Sequence, residues 1–117
     1  MPDMTFKVLK QNSDFRRAYG RGKSYSDPAL VTYVVKNRAG ICRIGITTSK
    51  KIGNAVERNK SRRLIRAAFQ NVYKEYGEYL QGYDFVFVAR GRTRYRKSYD
   101  LEQVMVQHLK KGNILPR

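Results

Sequence analysis

Residues 50–66 read KKIGNAVERNKSRRLIR, and the rest of the chain can be placed by working outward from this stretch. Asn54 is a suitable N-cap for a helix, and Glu57 lies three residues later. Its carboxylate can therefore accept a hydrogen bond from the cap's backbone N–H and complete a capping box. Gly53 permits the sharp approach of the backbone that such a start needs. The sequence predicts a helix that begins after Asn54 and runs to about Tyr76.

The predicted helix has an apolar face and a basic face. At about 100° per residue, the apolar face holds Ser61, Leu64, Ile65, Ala68, Phe69 and Val72. The opposite half holds Asn59, Arg62, Arg63 and Arg66, with Arg58 and Lys60 at its edges. Exposed helices usually mix charges of both signs, but Glu57 is the only acid within residues 50–66. The pattern favours polyanion binding over the alternative of an ordinary solvated face.

The totals indicate one small basic domain over residues 1–117. The chain has 25 Lys and Arg residues against 9 Asp and Glu, and its net charge is +16. Self-repulsion on this scale is typical of nucleic-acid-binding proteins. A membrane surface is a weaker alternative, because no helix opposes a strongly apolar exposed face to a basic one and Trp is absent.

The cysteine content and the N-terminus indicate a cytoplasmic protein. Cys42 is the only cysteine, so an internal disulfide is impossible, and with one histidine we expect no zinc site. The N-terminus carries acidic Asp3 without an apolar segment, unlike a signal peptide, and no run has transmembrane length.

Periodicity and turn residues predict the remaining elements. An irregular arm over 1–11 precedes a short helix from Asp14 to Tyr19, which Asn12 or Ser13 caps and Gly20 and Gly22 end. Strands are predicted at 30–35, 41–48 and 83–90, a hairpin turn at 37–40, a mobile basic loop at 91–97, a last helix capped by Ser98 and a frayed tail at 112–117. The fold class is therefore α+β with one central sheet and a β-α-β crossover through the basic helix. The predicted order of elements is α-β-β-β-α-β-α, in which two or three strands precede the basic helix.

One sheet face is predicted to form an aromatic trough. Val31, Tyr33, Val86 and Val88 share this face by strand alternation, and Phe15 and Tyr19, four residues apart on the short helix, lie beside it. An apolar trough in so basic a protein suits the stacked bases of a single strand. The alternative is that the short helix closes the trough completely.

The chain offers little for catalysis. His108 has no predicted partner, the nine acids are scattered, and no phosphate-binding glycine motif is present. Cys42 alternates with Ile44 and Ile46 and is predicted to lie in the core. We expect a protein that binds without catalytic or metal-ligating residues of its own, which disfavours an RNA-independent nuclease.

Residues 50–66 resemble the arginine-rich motif of the bacterial ribonuclease P protein component. The family pattern is Arg-Asn-x-x-Lys/Arg-Arg-x-x-Arg, preceded by Lys-Lys/Arg-x-Gly-x-Ala. The resemblance extends to residues 12–15 with Tyr19, and to 22–24, 31–33, 43–46, 84–90 and 107–109. Two positions depart from the common pattern, because Lys60 stands where many members have Arg and Tyr19 where Phe is frequent.

The resemblance implies an α/β sandwich with a left-handed crossover and a role in ribonuclease P. In that enzyme the catalytic RNA holds the Mg²⁺ ions and removes the 5′ leader from precursor tRNA by endonucleolytic hydrolysis. The protein would be a monomer in a 1:1 ribonucleoprotein and would bind no cofactor itself. Contacts to the catalytic RNA would come from Lys50, Lys51, Arg58, Asn59, Lys60, Arg62, Arg63 and Arg66. The leader cleft would be lined by Phe15, Tyr19, Val31, Tyr33, Thr47 and Val88.

Two other functions use the same basic helix. A structural RNA-binding protein of the ribosomal type would need it equally, but would not need a trough for a single strand. A double-stranded DNA-binding module would place the helix in a major groove, and is expected to be a dimer with paired half-sites. No obvious dimerisation element is present in the sequence.

Overall fold

A five-stranded mixed sheet organises the computed structural model, which describes residues 6–116. Its strands are β1 (Lys7–Val8), β2 (Lys23–Asp27), β3 (Leu30–Lys36), β4 (Arg43–Thr47) and β5 (Tyr83–Ala89). The helices are α1 (Asn12–Arg21), α2 (Ala55–Tyr76) and α3 (Ser98–Lys111). The predicted α+β class and the order α-β-β-β-α-β-α are confirmed, with the short β1 added in front.

The last strand in the chain lies at the centre of the sheet. The spatial order is β1-β4-β5-β3-β2, and β5 is parallel to β4 and antiparallel to β3. The predicted hairpin across residues 37–40 is therefore wrong, since β5 separates β3 from β4. A turn sequence specifies a change of direction, whereas pairing is decided by β5, which is buried on both faces from Asp84 to Phe87. The β4-α2-β5 connection is the predicted crossover, and its handedness stays a prediction.

Helix α2 begins and ends as its sequence predicts. The Asn54 Oδ1 atom accepts the Glu57 backbone N–H at 2.9 Å, and the Glu57 Oε1 atom accepts the Asn54 N–H at 3.2 Å. Ahead of this capping box, Gly53 has a φ of 143°, a conformation that favours glycine. The predicted apolar face is the buried one, with Leu64 half-buried at its margin. Local sequence alone specifies this element.

The main core lies between the sheet and the pair of helices α2 and α3. The Phe69 ring packs 6.0 Å from the Phe85 ring and 5.4 Å from the Phe87 ring, between centroids. From α3, Leu101 and Met105 are fully buried in the same cluster. Burying each of these large side chains contributes about 1.5–3 kcal/mol to stability, so this cluster fixes α2 on the sheet.

The bounds of α1 differ from the prediction. The helix runs from Asn12 to Arg21 instead of Asp14 to Tyr19, and its N-cap is Gln11, which makes no side-chain capping bond. Gly20 lies inside the helix, and only Gly22 ends it. The Gly22 N–H donates to the Ala18 carbonyl and closes the last turn, so the helix continues past Tyr19 to Arg21. Ala18 itself is buried in a cluster with Leu9 and Val86.

The chain ends are more ordered than predicted. Within the arm 1–11, residues Lys7 and Val8 pair with β4 as β1, and Leu9 is buried; residues 1–5 lie outside the described part. At the other end, α3 begins at Ser98 and its N-cap is Lys97, so Ser98 is not the cap.

The tail after α3 is closed by a backbone motif instead of fraying. Asn113 has a φ of 59°, the Ile114 N–H donates to the Leu109 carbonyl at 3.0 Å and the Asn113 N–H donates to the Lys110 carbonyl at 3.0 Å. This is a Schellman ending, and Leu115 is buried behind it. The prediction for 112–117 is wrong over 112–116, and Arg117 lies outside the described residues.

The basic loop 91–97 is anchored, so the prediction of a mobile loop is wrong. Thr93 is buried, and its Oγ1 donates to the Ala29 carbonyl at 2.5 Å while accepting the Arg90 N–H at 2.8 Å. A short 3₁₀ turn, Thr93–Tyr95, follows. The buried Thr93 hydroxyl thus anchors a charged segment that its composition alone would predict to be mobile.

Candidate nucleic-acid interface

The exposed face of α2 carries the predicted basic residues without acidic partners. Asn59, Lys60, Arg62, Arg63 and Arg66 are all exposed, and so are Lys50 and Lys51 on the preceding 3₁₀ turn. Among residues 6–116, no carboxylate lies within 4.0 Å of any of these basic side chains. Charge that is not offset within the protein remains available to an anionic partner.

Two arginines of the predicted RNA-binding set, Arg58 and Arg62, are held in place by hydrogen bonds within the protein. The half-buried Arg58 donates from Nη1 to the Gly53 carbonyl at 2.8 Å, so part of its guanidinium closes the start of α2. The Arg62 Nη2 atom donates to the Thr48 hydroxyl at 2.9 Å. Each retains further N–H donors, and the fixed guanidinium plane reduces the entropy lost when a phosphate binds.

The residues predicted for a leader cleft come together on the sheet face that carries α1. Thr47, Val88 and Val31 are directly paired across β4, β5 and β3 and form one row. In the next row Val86 pairs with Tyr33. The two rows make a continuous surface, as strand alternation predicts.

Helix α1 covers only part of this surface, which we call the aromatic patch (Tyr19, Val31, Tyr33, Thr47 and Val88). The Tyr19 and Tyr33 rings meet edge to face at 5.0 Å, and the Tyr19 and Thr47 hydroxyls share a hydrogen bond of 2.7 Å. Val86 is fully buried beneath the helix, whereas Tyr19 remains 41% exposed. The patch is therefore neither fully closed nor fully open, and Val31 and Val88 are half-buried at its margin.

Phe15, the sixth predicted cleft residue, lies against Gly45. A Cβ atom built on Gly45 would come within 2.5 Å of the Phe15 ring, so only glycine allows this close approach of α1 to β4. The Phe15 ring therefore lies towards the β4 edge of the sheet, next to the buried Leu9. This position links the aromatic patch to a second surface.

That second surface is a groove of about 490 Å³ along the open edge of β4. β1 pairs with Arg43 and Ile44, and no other strand among residues 6–116 pairs with β4 on that side. The groove joins apolar side chains to the basic face of α2: Val8, Leu9, Phe15, Ile44, Ile46, Asn59, Arg62, Arg63 and Arg66. Apolar walls beside guanidinium groups suit a nucleotide, whose base is planar and whose phosphate is anionic.

A buried carboxylate fixes α1 relative to the sheet. Asp84 on β5 receives Arg43 in a bidentate pair at 2.8 and 2.9 Å, Arg17 of α1 at 2.5 Å and the Asn37 amide at 2.8 Å. Burial alone would raise the Asp84 pKa, but the hydrogen bonds from Arg43, Asn37 and Arg17 outweigh it and lower the pKa below its usual value. The charged form of Asp84 therefore holds α1 in place above the aromatic patch.

The two side chains with the greatest catalytic potential lie in the interior. His108 is buried, and its Nδ1 lies 2.8 Å from the Thr32 hydroxyl; burial lowers its pKa. Cys42 is fully buried, and burial raises its pKa to about 12. Residues 6–116 contain no group of three or more His, Cys, Asp or Glu side chains arranged to hold a metal ion. None of the helices in this range is both long and apolar enough to span a bilayer.

Sequence reasoning missed several residues that shape these surfaces. Ile44 and Ile46 are predicted only to share a strand face with Cys42, yet they line the groove, because its apolar side is the edge of the core itself. The role of Asp84 is not predicted, since the sequence around a single acid in an apolar strand does not identify the residues that will bond to it. Thr48 is predicted only as part of β4, and its contact with Arg62 depends on the tertiary packing of α2.

The fold and the surfaces together define a small α+β protein with a basic crossover helix on one face of a mixed sheet and a partly covered aromatic patch on the other. The family model described as Ribonuclease P matches residues 4–113 of this chain. The chain belongs to the ribonuclease P protein family. That membership gives it a general role in ribonuclease P, and hence in tRNA processing.

Curated relatives match this chain along nearly its whole length. The ribonuclease P protein component of Clostridium botulinum (strain 657 / Type Ba4) is 43% identical over 107 residues, which are 91% of this chain and 94% of the relative. The corresponding protein of Clostridioides difficile (strain 630) is 39% identical over 108 residues, or 92% and 93% of the two chains.

Solved structures share the fold. The RNase P protein of Staphylococcus aureus has a TM-score of 0.75 and 30% identity, over 93% of this chain and 97% of that one. A S. aureus RNase P protein mutant with defective mRNA degradation activity has a TM-score of 0.76 and 33% identity, over 91% and 87%. The RNase P protein from Thermotoga maritima has a TM-score of 0.72 at 24% identity, over 90% and 96%, and supports the fold alone.

Proposed function

We propose that this protein binds the RNA subunit of ribonuclease P through the exposed basic face of α2 and the residues just before it. The observation that carries the proposal is the row of exposed Arg62, Arg63 and Arg66 without acidic partners among residues 6–116. A helix with unpaired guanidinium groups binds phosphates by charge and by bidentate hydrogen bonds. Arg58, Asn59 and Lys60 extend this contact towards the start of the helix.

The aromatic patch, with Phe15, is proposed to hold the 5′ leader of precursor tRNA. The patch is half-covered, so it offers ring edges and valine side chains to an unpaired base without a large rearrangement. The groove at the β4 edge connects it with the basic face of α2, and a strand lying there would place phosphates near Arg62 and Arg66. One continuous surface would thus contact both RNAs.

The reaction itself is assigned to the RNA partner. His108 and Cys42 are buried, and the chemistry of phosphodiester hydrolysis needs an activated water and stabilised charge at the cleaved bond. In this proposal Mg²⁺ ions held by the RNA supply both. The protein then acts as a cytoplasmic monomer in a 1:1 ribonucleoprotein, where it raises affinity for precursor tRNA without touching the reacting atoms.

Reconstitution tests this division of labour. The protein is combined with a bacterial ribonuclease P RNA, and leader removal from precursor tRNA is measured at low magnesium. We expect efficient cleavage only when both components are present, and a reduced rate for Arg62→Ala. Arg38→Ala is the matched control, since Arg38 is an exposed arginine in the loop between β3 and β4.

The rival proposal is a structural RNA-binding protein with no role in cleavage. It predicts tight RNA binding with no effect of the protein on leader removal and no preference for precursor over mature tRNA. The same experiment includes the protein without RNA, tested on precursor tRNA and on an mRNA, because mRNA degradation is named for the S. aureus protein. Robust cleavage by the protein alone would refute the assignment of the reaction to the RNA.

A further inference from the structure

The turn after β5 carries a dense positive charge that the proposed function does not use. Residues 90–97 read RGRTRYRK, with five basic residues and no acid. The segment is held in one place by the buried Thr93, which bonds the Ala29 carbonyl and the Arg90 N–H. A fixed cationic turn presents its charges at defined positions, so it is a different object from a flexible basic tail.

Arg94 joins this turn to the start of α2. Its Nη1 lies 3.0 Å from the Glu57 Oε2 atom and also donates to the Ile52 carbonyl. A Cβ atom built on Gly53 would lie 2.8 Å from the same Nη1, so the guanidinium packs closely against the backbone just before α2. Glu57, the only acid within residues 50–66, is thereby paired inside the protein. The negative charge that would oppose a phosphate at this end of α2 is offset.

An exposed aromatic ring lies at this junction. Tyr95 is 73% exposed, and its ring centroid is 4.9 Å from the Arg94 Cζ atom. Single exposed tyrosines are common on protein surfaces and mean little alone. Tyr95 differs because it sits on an anchored turn beside the basic helix, with exposed Arg92 and Arg96 nearby in the chain. An aromatic face flanked by guanidinium groups is the usual platform for an unpaired base and its phosphates.

We infer that the turn over residues 92–97 is a second contact for the RNA subunit, in which Tyr95 stacks on an unpaired base and Arg96 binds a flanking phosphate. The inference rests on the proposed function of α2. The RNA subunit is favoured over the leader because the Arg94–Glu57 pair makes the turn continuous with the basic face of α2. The aromatic patch proposed for the leader lies on the other face of the sheet, beside α1.

Binding of the ribonuclease P RNA to four variants tests the inference. For Tyr95→Ala we expect roughly a five- to hundred-fold loss of affinity, the range for one stacked base. Tyr95→Phe keeps the ring and should bind within about twofold of the unchanged protein. Arg96→Ala should lower the slope of log affinity against log salt by roughly 0.7 to 0.9. Tyr79→Ala is the matched control, because Tyr79 is 45% exposed in the turn after α2, at the far end of the helix.

The outcomes separate this inference from the proposed function. If the unchanged protein does not bind the RNA, both fail. If it binds and Arg62→Ala weakens binding while Tyr95→Ala and Arg96→Ala do not, only the second contact is overturned. The same variants are also tested for binding precursor tRNA in the presence of the ribonuclease P RNA. A loss for Tyr95→Ala that appears only in this second measurement would also overturn the inference, since the turn would then contact the leader. An equal loss for Tyr95→Phe would overturn stacking as the cause.

Discussion

The Arg17 Nη2 atom of α1 lies 2.5 Å from the Oδ2 atom of Asp84, a fully buried carboxylate at the centre of the sheet. This pair, with Arg43 on the other side of Asp84, is the polar link between α1 and β5. The position of α1 determines how much of the aromatic patch is open. A buried ion network therefore controls the geometry of a surface that it does not itself form.

Asp84→Asn should destabilise the fold while keeping the side-chain volume. It leaves Arg17 and Arg43 without their shared carboxylate, and breaking a buried pair costs about 3–5 kcal/mol. We expect the lower part of that range, because both arginines reach water. Chemical denaturation measures the change. Asp14→Asn is the control: its carboxylate is 3.7 Å from Arg43 and partly exposed, so the loss should be about 1 kcal/mol or less.

Arg66→Ala should weaken RNA binding without altering stability. Arg66 is exposed on α2 and is not part of the buried cluster that contains Ile65 and Phe69, so its removal leaves the core intact. Removing one arginine–phosphate interaction should reduce the log–log salt slope by roughly 0.7 to 0.9. Affinity titrations at several salt concentrations measure the slope, and a thermal melt is recorded beside them. An unchanged slope combined with a lower melting temperature would show that the arginine is structural.

Tyr33→Ala should affect precursor tRNA selectively. Tyr33 contacts Tyr19 edge to face and stays half-buried, so its ring is available for stacking. Removal of the ring should weaken the binding of a stacked base by about 1–3 kcal/mol, or roughly five- to a hundred-fold in affinity. Leaderless tRNA and the RNA subunit should bind as before. Affinities for the two tRNA forms are compared in the presence of the RNA subunit, and Tyr33→Phe serves as the control that keeps the ring. Equal losses for precursor and mature tRNA would contradict the leader assignment.

Stability should fall as the pH drops below about 6.5, the ordinary pKa of histidine. Burial, helped by Lys111, lowers the His108 pKa, although Asp27 and the Ser26 backbone act in the opposite direction. Below this pH the histidine of the unfolded chain binds a proton more readily than His108 of the folded protein does. The free energy of unfolding is therefore highest above this pH and decreases below it. Protonation of Asp84 reduces stability only at more acidic pH. That loss begins near 3.8, the ordinary pKa of this carboxyl, and continues to lower pH because the pKa in the folded protein is lowered.

The variant His108→Asn isolates this effect. Its amide can replace the imidazole Nδ1 in the hydrogen bond to Thr32 but does not titrate. Melting temperatures are compared between about pH 7.5 and 5.5, a window in which histidine is the side chain that changes charge. The unchanged protein should lose stability over this window and the variant should not. A parallel decline in both proteins would mean that another group is responsible.

Elements specified by local chemistry are predictable from the sequence, and those specified by distant partners are not. The capping box of Asn54 and Glu57 and the periodicity of α2 are local, so both ends of that helix are predicted correctly. The faces of β3 are correct for the same reason. The pairing of β5 with β4, the bond from Thr93 to Ala29 and the ion pair between Asp84 and Arg43 join residues 41 or more positions apart, and no local pattern contains them.

The candidate site divides in the same way. Helical spacing identifies the basic residues of α2, and strand alternation identifies the aromatic patch. The groove at the β4 edge is not foreseen, because it depends on how short β1 is and on the approach of Phe15 to Gly45. Functional assignment of each residue within these surfaces comes from family resemblance, and the binding experiments above are its test.

Synthesis of the chain from its N-terminus gives the central position of β5 a further consequence. A nascent chain that has reached residue 82 contains the whole of α2 but not the strand that separates β3 from β4. The basic face of α2 then has no complete sheet to hold it in one place, so it can attract any RNA but cannot recognise one. The sheet closes only when β5 inserts between two strands made earlier, a non-local step of the kind that slows folding. We expect recognition of the correct RNA to be acquired at that late step.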